Sequence, residues 1–274
     1  MLRLLNLELQ KLLLNKTSKI LIGISYILPL FIILLSSFKI PFFGFFTLEL
    51  GELGVFNFPM IWHLVTYFSA HFKLFFAIVV VSMIGNEYSN KTIKQNLIDG
   101  LSKKEFILSK FYTIIFFSLV STLIIFLLSL CIGLYYSSYN ELSIIFRETE
   151  FLIAYCIKLI GFFSLCLFFG MLAKRSAFAL AFIFVLFLIE WILYLVLWKF
   201  SSEEMATNIQ NFFPLKSMYK LIDIPFLRIA ATKMPDNQEF IHDYAVHGHE
   251  IIIVIGWTAL FILLSYRLLK KRDL

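Results

Sequence analysis

Long apolar runs separated by short polar segments make up most of this sequence. Runs long enough to cross a bilayer cover residues 19–38, 61–85, 106–136, 150–173, 177–199 and 250–268. A helix needs about 20 apolar residues to cross the hydrocarbon core. The runs are continuous and do not alternate with polar residues, which favours helices over half-buried strands. The pattern therefore predicts an all-α, polytopic membrane protein with six transmembrane helices.

The first sixteen residues carry a different pattern. Their apolar positions share one helical face: Leu2, Leu5, Leu9 and Leu12. Polar residues interrupt the remainder of the helix: Arg3, Asn6, Gln10 and Lys11. This arrangement predicts an interfacial amphipathic helix over residues 1–16. The alternative interpretation is that these residues begin a long first transmembrane helix.

Lysine and arginine are divided unequally between the two sides of the predicted membrane domain. With six crossings, both termini and the loop at 86–105 share one side, which holds 15 Lys and Arg residues against 7 on the other. Cytoplasmic loops carry such an excess of positive charge. We therefore expect cytoplasmic termini and a long outer segment over residues 200–249. The net charge of +6 follows from this topology, so we expect no nucleic-acid partner.

Composition strengthens the membrane assignment. Of the 274 residues, 60% are hydrophobic and 15% are charged, whereas soluble domains are about half apolar and about a quarter charged. Heavy use of Phe, Ile, Lys and Asn is typical of a bacterium of low G+C content, so we expect the bacterial cytoplasmic (inner) membrane as the location. The three cysteines fall in apolar runs and are interpreted as small buried hydrophobes.

The polar segment between the second and third runs reads NEYSNKTIKQNLIDGLSKKEF. Ser89 or Asn90 can cap the start of a helix, and Gly100 stands at a usual terminating position. Ser102 followed by Glu105 is a capping box for the next helix. The segment thus predicts a short rigid helix, a sharp turn and the start of the third span. Such a helix can transmit force to two spans, or it can be a plain connector.

This segment resembles the loop of the permeases of type-2 ATP-binding-cassette (ABC) exporters. That family shows a Glu, a Thr about five residues on, a Leu about five further and then a Ser-basic pair. The matching residues here are Glu87, Thr92, Leu97, Ser102 and Lys103. A proline common in the family is replaced by Gly100, which also breaks a helix. The predicted layout of the whole chain is also similar to that family.

The resemblance implies a coupling helix in the 86–105 loop that docks into a separate ATPase subunit. It assigns contact or shaping roles to these residues: Glu87, Thr92, Ile93, Leu97, Ser102 and Lys103. The chain has no GxxxxGK[ST] phosphate loop, so a dimer of ATPase partners would bind ATP and Mg²⁺. We therefore expect no cofactor and no enzymatic activity in this chain. A second permease copy or a related chain would complete the pathway within the membrane lipid.

Three charged residues fall inside predicted spans: Lys73, Lys158 and Glu190. Charges in hydrocarbon are costly unless they are paired or hydrated. Lys158 and Glu190 lie about eight and nine residues from the outer ends of antiparallel spans, or about 12–14 Å deep at about 1.5 Å per residue. We hypothesise that these two residues form an intramembrane ion pair. Lys73, near His63 and His71, could line a path or make a structural polar contact.

The outer segment has two further features. After Pro214, the sequence FFPLKSMYKLIDIPF predicts a short amphipathic helix on the outer surface. A histidine-rich stretch precedes the last span: His242, Asp243, His247, His249 and Glu250. Its spacing allows metal ligation in principle, but no complete ligand set of known geometry is visible. We therefore predict no metal site.

Competing functions remain at this stage. The leading interpretation is the membrane subunit of an ATP-driven exporter. An ion-coupled secondary transporter would use the three intramembrane charges, although no pair of broken helices typical of that class is evident. A membrane-embedded enzyme would have only the outer histidines as candidate catalytic groups. A non-transporting subunit that passes ATPase work to an outer partner is a fourth alternative.

Overall fold

The structure is a computed structural model that describes residues 2–37, 40–42, 46–48, 54–139, 141–226, 228–229 and 243–272. Within these ranges the chain is almost entirely helical. The helices are α1 (Leu2–Leu14), α2 (Lys16–Ser37), α3 (Met60–His71), α4 (Lys73–Ser89), α5 (Thr92–Ile98), α6 (Lys103–Tyr136), α7 (Leu142–Ile145), α8 (Glu150–Ala173), α9 (Ser176–Phe200), α10 (Glu203–Gln210), α11 (Pro214–Lys220) and α12 (Gly248–Lys270). The one strand pairing described is an antiparallel hairpin of β1 (Ile40–Phe42) and β2 (Phe46–Leu48).

The helix lengths confirm the predicted class. In the described part of the chain, α2, α6, α8, α9 and α12 are each long and apolar enough to cross a membrane. The pair α3–α4 forms a sixth crossing when it is counted as one bent span. The protein is therefore an α-helical, polytopic membrane protein. The small β1–β2 hairpin was not expected from the sequence.

The second span is bent by 44° between α3 and α4. At the bend, the N–H of Phe72 donates to the carbonyl of Ser69, three residues back, and not to the carbonyl four residues back. This tightening breaks the regular hydrogen-bond ladder without a proline, so hydropathy alone did not reveal it. The bend places Lys73 at the first position of α4.

Helix α8 lies at the centre of the bundle and packs against α3, α4, α6, α9 and α12. It carries buried residues along its whole length, from Phe151 to Met171. By contrast, α9 buries only Ala179 and Glu190. The remaining apolar surface of α9 is available to lipid or to another chain.

The cysteines do not all follow the expectation. Cys166 is buried in the centre of α8, as predicted, and Cys156 is partly buried. Cys131 is exposed on α6, so the interpretation of this residue as a buried hydrophobe is wrong. Its run is apolar because that side of α6 lies on the outside of the bundle.

Candidate functional site

The start of α5 differs from the sequence prediction. Helix α4 continues through Ser89, and the N–H of Asn90 still donates to the carbonyl of Asn86. Neither residue is therefore available as the N-cap, and that prediction is wrong. The cap is Lys91, whose φ of 55° is in the left-handed region and whose side chain makes no capping bond. This sharp reversal turns α5 away from α4.

The end of α5 agrees with the sequence prediction. Gly100 has a φ of 96°, and its N–H donates to the carbonyl of Leu97, while the N–H of Leu101 donates to Asn96. These two bonds form a Schellman termination. The Ser102–Glu105 capping box is confirmed: each side chain accepts from the other residue's backbone N–H, at 3.1 and 2.9 Å. The α5 segment is therefore held at both ends by backbone geometry.

Most residues assigned to the coupling loop by resemblance face inward. Glu87 and Ile93 are buried, and Leu97 is half-buried against the core. The Thr92 hydroxyl donates to the carbonyl of Glu87 at 3.4 Å. Ser102, at the N-cap of α6, is exposed but bonds within its own capping box. Their contacts shape the loop from within.

The outward face of the loop consists of other residues. Lys94, Gln95 and Asp99 are exposed on and after α5. Ile98 is 74% exposed, which is unusual for a large apolar side chain on a polar loop. Sequence reasoning missed Ile98 because helical periodicity does not state which face of a seven-residue helix meets the core.

The C-terminal tail is fastened to the same region. The Lys103 ammonium group donates to the carbonyls of Lys270 and Arg272, at 3.3 and 2.9 Å. The Arg272 guanidinium donates to the Tyr88 hydroxyl at 2.5 Å and to the Met171 carbonyl at 2.6 Å. This C-terminal latch joins the last residues of α4, α8 and α12 beside the loop.

Four charged residues form a buried charge cluster at the base of the loop: Glu8, Lys11, Glu87 and Lys110. The Lys110 ammonium group is fully buried and donates to Glu8 at 2.5 Å and to Glu87. Lys11 reaches the same two carboxylates at 3.2 and 3.1 Å. The cluster therefore joins α1, α4 and α6 through side chains that are distant in sequence.

Each charge in this cluster depends on the others. Burial favours a raised pKa for the Glu8 carboxyl, but Lys110 and Lys11 outweigh that effect and hold its pKa below the ordinary value. Removing one partner from a buried pair costs about 3–5 kcal/mol, because the other charge is left without compensation. The sequence indicated Glu87 as a loop residue but did not predict that it would meet Glu8, Lys11 and Lys110. These side chains come together because α1 packs against α6.

The intramembrane charges in the outer half do not form the hypothesised pair. Glu190 accepts from the N–H groups of Leu215 and Lys216, at 2.9 and 3.1 Å. The Lys158 ammonium group donates to the carbonyl of Tyr219 at 3.2 Å. Each side chain instead has a backbone partner on the segment that lies between them. The pair hypothesis is therefore wrong.

Both partners belong to α11, the short helix predicted after Pro214, which packs against α8, α9 and α12. Its position on the outer surface stays a prediction. Glu190 is ten residues from the outer end of α9, about 15 Å at about 1.5 Å per residue. Negative charge at a helix N-terminus and positive charge at its C-terminus are favourable. The two charges thus complement opposite ends of this seven-residue helix.

Lys73 lines a cavity of about 500 Å³ between α4, α8, α9 and α11. Its ammonium group lies 4.3 Å from the centroid of the Phe162 ring. Lys158 and His71 also line this cavity. His63 does not: its ring stacks on Phe151 at 4.2 Å, and its Nε2 bonds with the Asp223 carbonyl at 2.8 Å.

In the described part of the chain, no group of three or more candidate metal ligands is found. His247 lies 3.3 Å from the carboxylate of Asp243. Glu250 pairs with Lys220 at 3.1 Å. His242 lies outside the described residues.

Comparison with known families covers about three quarters of the chain. The family model described as ABC-2 family transporter protein matches residues 69–274. No curated protein matches the chain. The match covers the bend at Phe72, α4, the α5 loop, all later spans and helix α11. The chain belongs to the ABC-2 transporter family and is a membrane permease subunit of an ABC transporter.

Proposed function

We propose that this chain is the membrane-spanning subunit of an ATP-driven exporter in a bacterial cytoplasmic membrane. In this proposal both termini and α5 lie in the cytoplasm. A separate ATPase subunit, acting as a dimer, binds ATP and Mg²⁺ and docks on α5. A second copy of this chain, or a related permease, completes the pathway. Export as the direction rests on the resemblance to type-2 exporter permeases.

The observation that carries the proposal is the exposed tip of α5 on a fixed base. Ile93 is buried on the inner side of α5, while Ile98 is exposed on the outer side. The Schellman termination and the capping box hold this tip in one orientation. An isolated apolar anchor ringed by polar residues is typical of a contact point at a protein interface.

A polar cavity beside α5 supports the same docking site. It has a volume of about 360 Å³ and lies between α1, α4 and α5. Glu87 Oε2 and Asn96 Nδ2 are buried there without a hydrogen-bond partner among the described residues. Buried polar groups normally find partners. A side chain of a docked ATPase would enter this cavity, and ordered water would satisfy the two buried atoms.

The buried charge cluster supports the transmission of force from α5 to the spans. Glu87 is at the end of α4, and Lys110 is in the third turn of α6. A push on α5 therefore acts on two spans that are joined by a buried ion pair, and Glu8 couples α1 to the same pair. Rigid elements linked in this way move together.

The exposed apolar surface of α9 suits a second permease half. Large side chains such as Phe184, Phe187 and Trp191 are more than half exposed in the single chain. Lipid alone can cover them, but a partner helix would also enclose a pathway between the two halves. This supports a dimeric permease without deciding between identical and related halves.

The ion-coupled alternative has less support. The Glu190 carboxylate accepts from two backbone N–H groups of α11, so it is not free to carry a coupling cation. Membership of the ABC-2 family also favours ATP as the energy source.

The test is copurification from the native membrane in mild detergent. We compare wild type with Ile98→Asp, which places a charge on the exposed tip and leaves the buried side of α5 unchanged. The matched control is Leu142→Asp, at a 70% exposed position on α7. We expect an ABC ATPase subunit to copurify with wild type and the control, and to be reduced at least tenfold with Ile98→Asp.

Two outcomes contradict the proposal. The first is a well-folded wild-type protein without an ATPase in several mild detergents. The second is equal recovery of the ATPase with Ile98→Asp, which would place docking elsewhere. A matching size-exclusion profile for all three proteins confirms that the fold is intact.

A further inference from the structure

The cavity beside Lys73 is lined by both cationic and hydrocarbon side chains. It has a volume of about 500 Å³, within the range of about 300–1,000 Å³ typical of small-molecule sites. One wall carries the ammonium groups of Lys73 and Lys158. The opposite wall is hydrocarbon from α9, including Ile183, Phe184 and Phe187.

The Lys73 ammonium group has no hydrogen-bond acceptor among the described residues, and its contact is with the face of Phe162. Lys158 has one acceptor, the Tyr219 carbonyl. An ammonium group carries three donors. Glu190 is occupied by the backbone of α11, and one carboxylate, Asp223, partly offsets the charge of Lys158. The two lysines therefore leave donors and positive charge directed at the cavity.

The cavity is open to the outside of the bundle. Leu74 of α4 and Phe184 and Phe187 of α9 line it and are also more than half exposed. The opening between α4 and α9 lies in the spanning region, so a hydrocarbon chain can enter from the side. The lysines lie deep, since Lys158 is eight residues from the start of α8, or about 12 Å.

We propose that Lys73 and Lys158 bind the anionic group of an amphipathic molecule whose hydrocarbon tail lies along α9. The anionic group is a phosphate or a carboxylate, because both accept several hydrogen bonds from ammonium groups. Charge at this depth is costly for the protein alone, and a bound anion offsets that cost. This binding goes beyond the proposed function and does not require a docked ATPase.

Photo-crosslinking of the full chain in phosphatidylcholine nanodiscs tests this site. The probe is a hexadecyl phosphate with a diazirine in its tail, and the reference probe is the uncharged alcohol with the same tail. We expect the phosphate probe to label peptides containing Leu74–Ile78 and Ile183–Phe187. Lys73→Gln/Lys158→Gln should reduce this labelling about tenfold or more, as expected for lost charged hydrogen bonds.

Two further variants test whether labelling depends on the space in the cavity and on the position of the lysines. Ile183→Trp fills the cavity but keeps both lysines, and it should also reduce labelling. Lys199→Gln removes a lysine at the outer end of α9, away from the cavity, and should leave labelling unchanged. Because Gln is uncharged, the double variant removes the free-energy cost of burying two charges. Size exclusion and thermal unfolding check that this variant is folded.

Competition identifies the source of the anion. If phosphatidylglycerol in the nanodisc displaces the probe, the occupant is an anionic lipid of the bilayer. If only single-tailed phosphates or carboxylates displace it, the occupant is a free amphiphile. Either result supports the site. Equal labelling by the uncharged probe, or labelling unaffected by the double variant, overturns it, whatever the outcome of ATPase copurification.

Discussion

Glu87 of α4 and Lys110 of α6 form a buried ion pair at the base of the loop that carries α5. Lys110 also bonds with Glu8 of α1 at 2.5 Å, so one ammonium group ties three helices together. The loop is therefore fixed at its surface by helix caps and at its base by charge. A permease that receives work from a separate ATPase needs such a connection between the docking point and the spans.

The first prediction concerns this ammonium group. Lys110→Met keeps the length of the side chain but leaves two buried carboxylates with only the partly exposed Lys11 as a partner. We expect the free energy of unfolding to fall by about 3–5 kcal/mol. Lys104→Met, at an exposed position on the same helix, should change it by less than about 0.5 kcal/mol. Unfolding in mixed detergent micelles measures the free energy of unfolding of both variants. Equal decreases for the two variants would show that the buried ion pair does not stabilise the fold.

The second prediction concerns acid. The folded protein holds the pKa of Glu8 below its ordinary value of 4.5. The contribution of Glu8 to stability is therefore present above pH 4.5 and is lost as the pH falls through the lower, folded pKa. Thermal unfolding of wild type should become easier as the pH falls below about 4.5. Glu8→Gln should be less stable at pH 6 and show a shallower decline. An identical pH dependence of the two proteins would show that Glu8 does not cause the loss of stability in acid.

The local features of the α5 loop could be predicted from sequence because they depend on neighbouring residues. Gly100 and the Ser102–Glu105 box are such features, and both are present as predicted. The start of α5 could not be predicted, because the choice between Asn90 and Lys91 depends on how far α4 continues. Lys91 takes a left-handed backbone that its residue type does not favour.

Long-range features escaped the sequence for a different reason. Counting residues placed Lys158 and Glu190 at similar distances from the ends of their helices. It did not identify the groups with which they bond. Both bond with α11, and hydropathy gives no sign that a seven-residue outer segment folds back between α8 and α9. The Phe72 bend was also hidden, because it arises from packing and not from a proline.

The third prediction concerns the C-terminal latch. Arg272→Gln removes the charged donors to the Tyr88 hydroxyl and the Met171 carbonyl. We expect faster hydrogen exchange in peptides covering the end of α12 and the loop after Tyr88, because local opening costs less free energy. Arg267→Gln, at an exposed position on α12, is the matched control and should leave exchange unchanged. Unchanged exchange with Arg272→Gln would show that the latch does not hold the loop.

The fourth prediction concerns Glu190. Its carboxylate accepts from two backbone N–H groups at the start of α11, and Glu190→Gln keeps one uncharged acceptor. We expect the docking of α11 to weaken by about 1–3 kcal/mol. The readout is maleimide labelling of Ser217→Cys, a buried position on α11, with the three native cysteines replaced by alanine. Labelling should accelerate with Glu190→Gln but not with Glu203→Gln, which is exposed on α10.

The fifth prediction concerns the packing that lets α11 enter the bundle. Gly161 of α8 faces both α11 and α12, and a Cβ at this position would lie 2.8 Å from Val254 Cγ1 and 3.2 Å from Met218 Cε. The stiff valine side chain cannot rotate away easily. Gly161→Ala should therefore destabilise the protein by about 1–3 kcal/mol, as overpacking does in a tight core.

Gly256 on α12 provides the matched control, since a Cβ there meets nothing within 4 Å. Gly256→Ala should stabilise its helix by roughly 0.5–1 kcal/mol, because alanine loses less backbone entropy on folding. The midpoint of thermal unfolding should thus move in opposite directions for the two substitutions. If both raised it, the contact between α8, α11 and α12 would be looser than these distances state. The position of α11 would then depend mainly on its polar contacts with Glu190, Lys158 and Glu250.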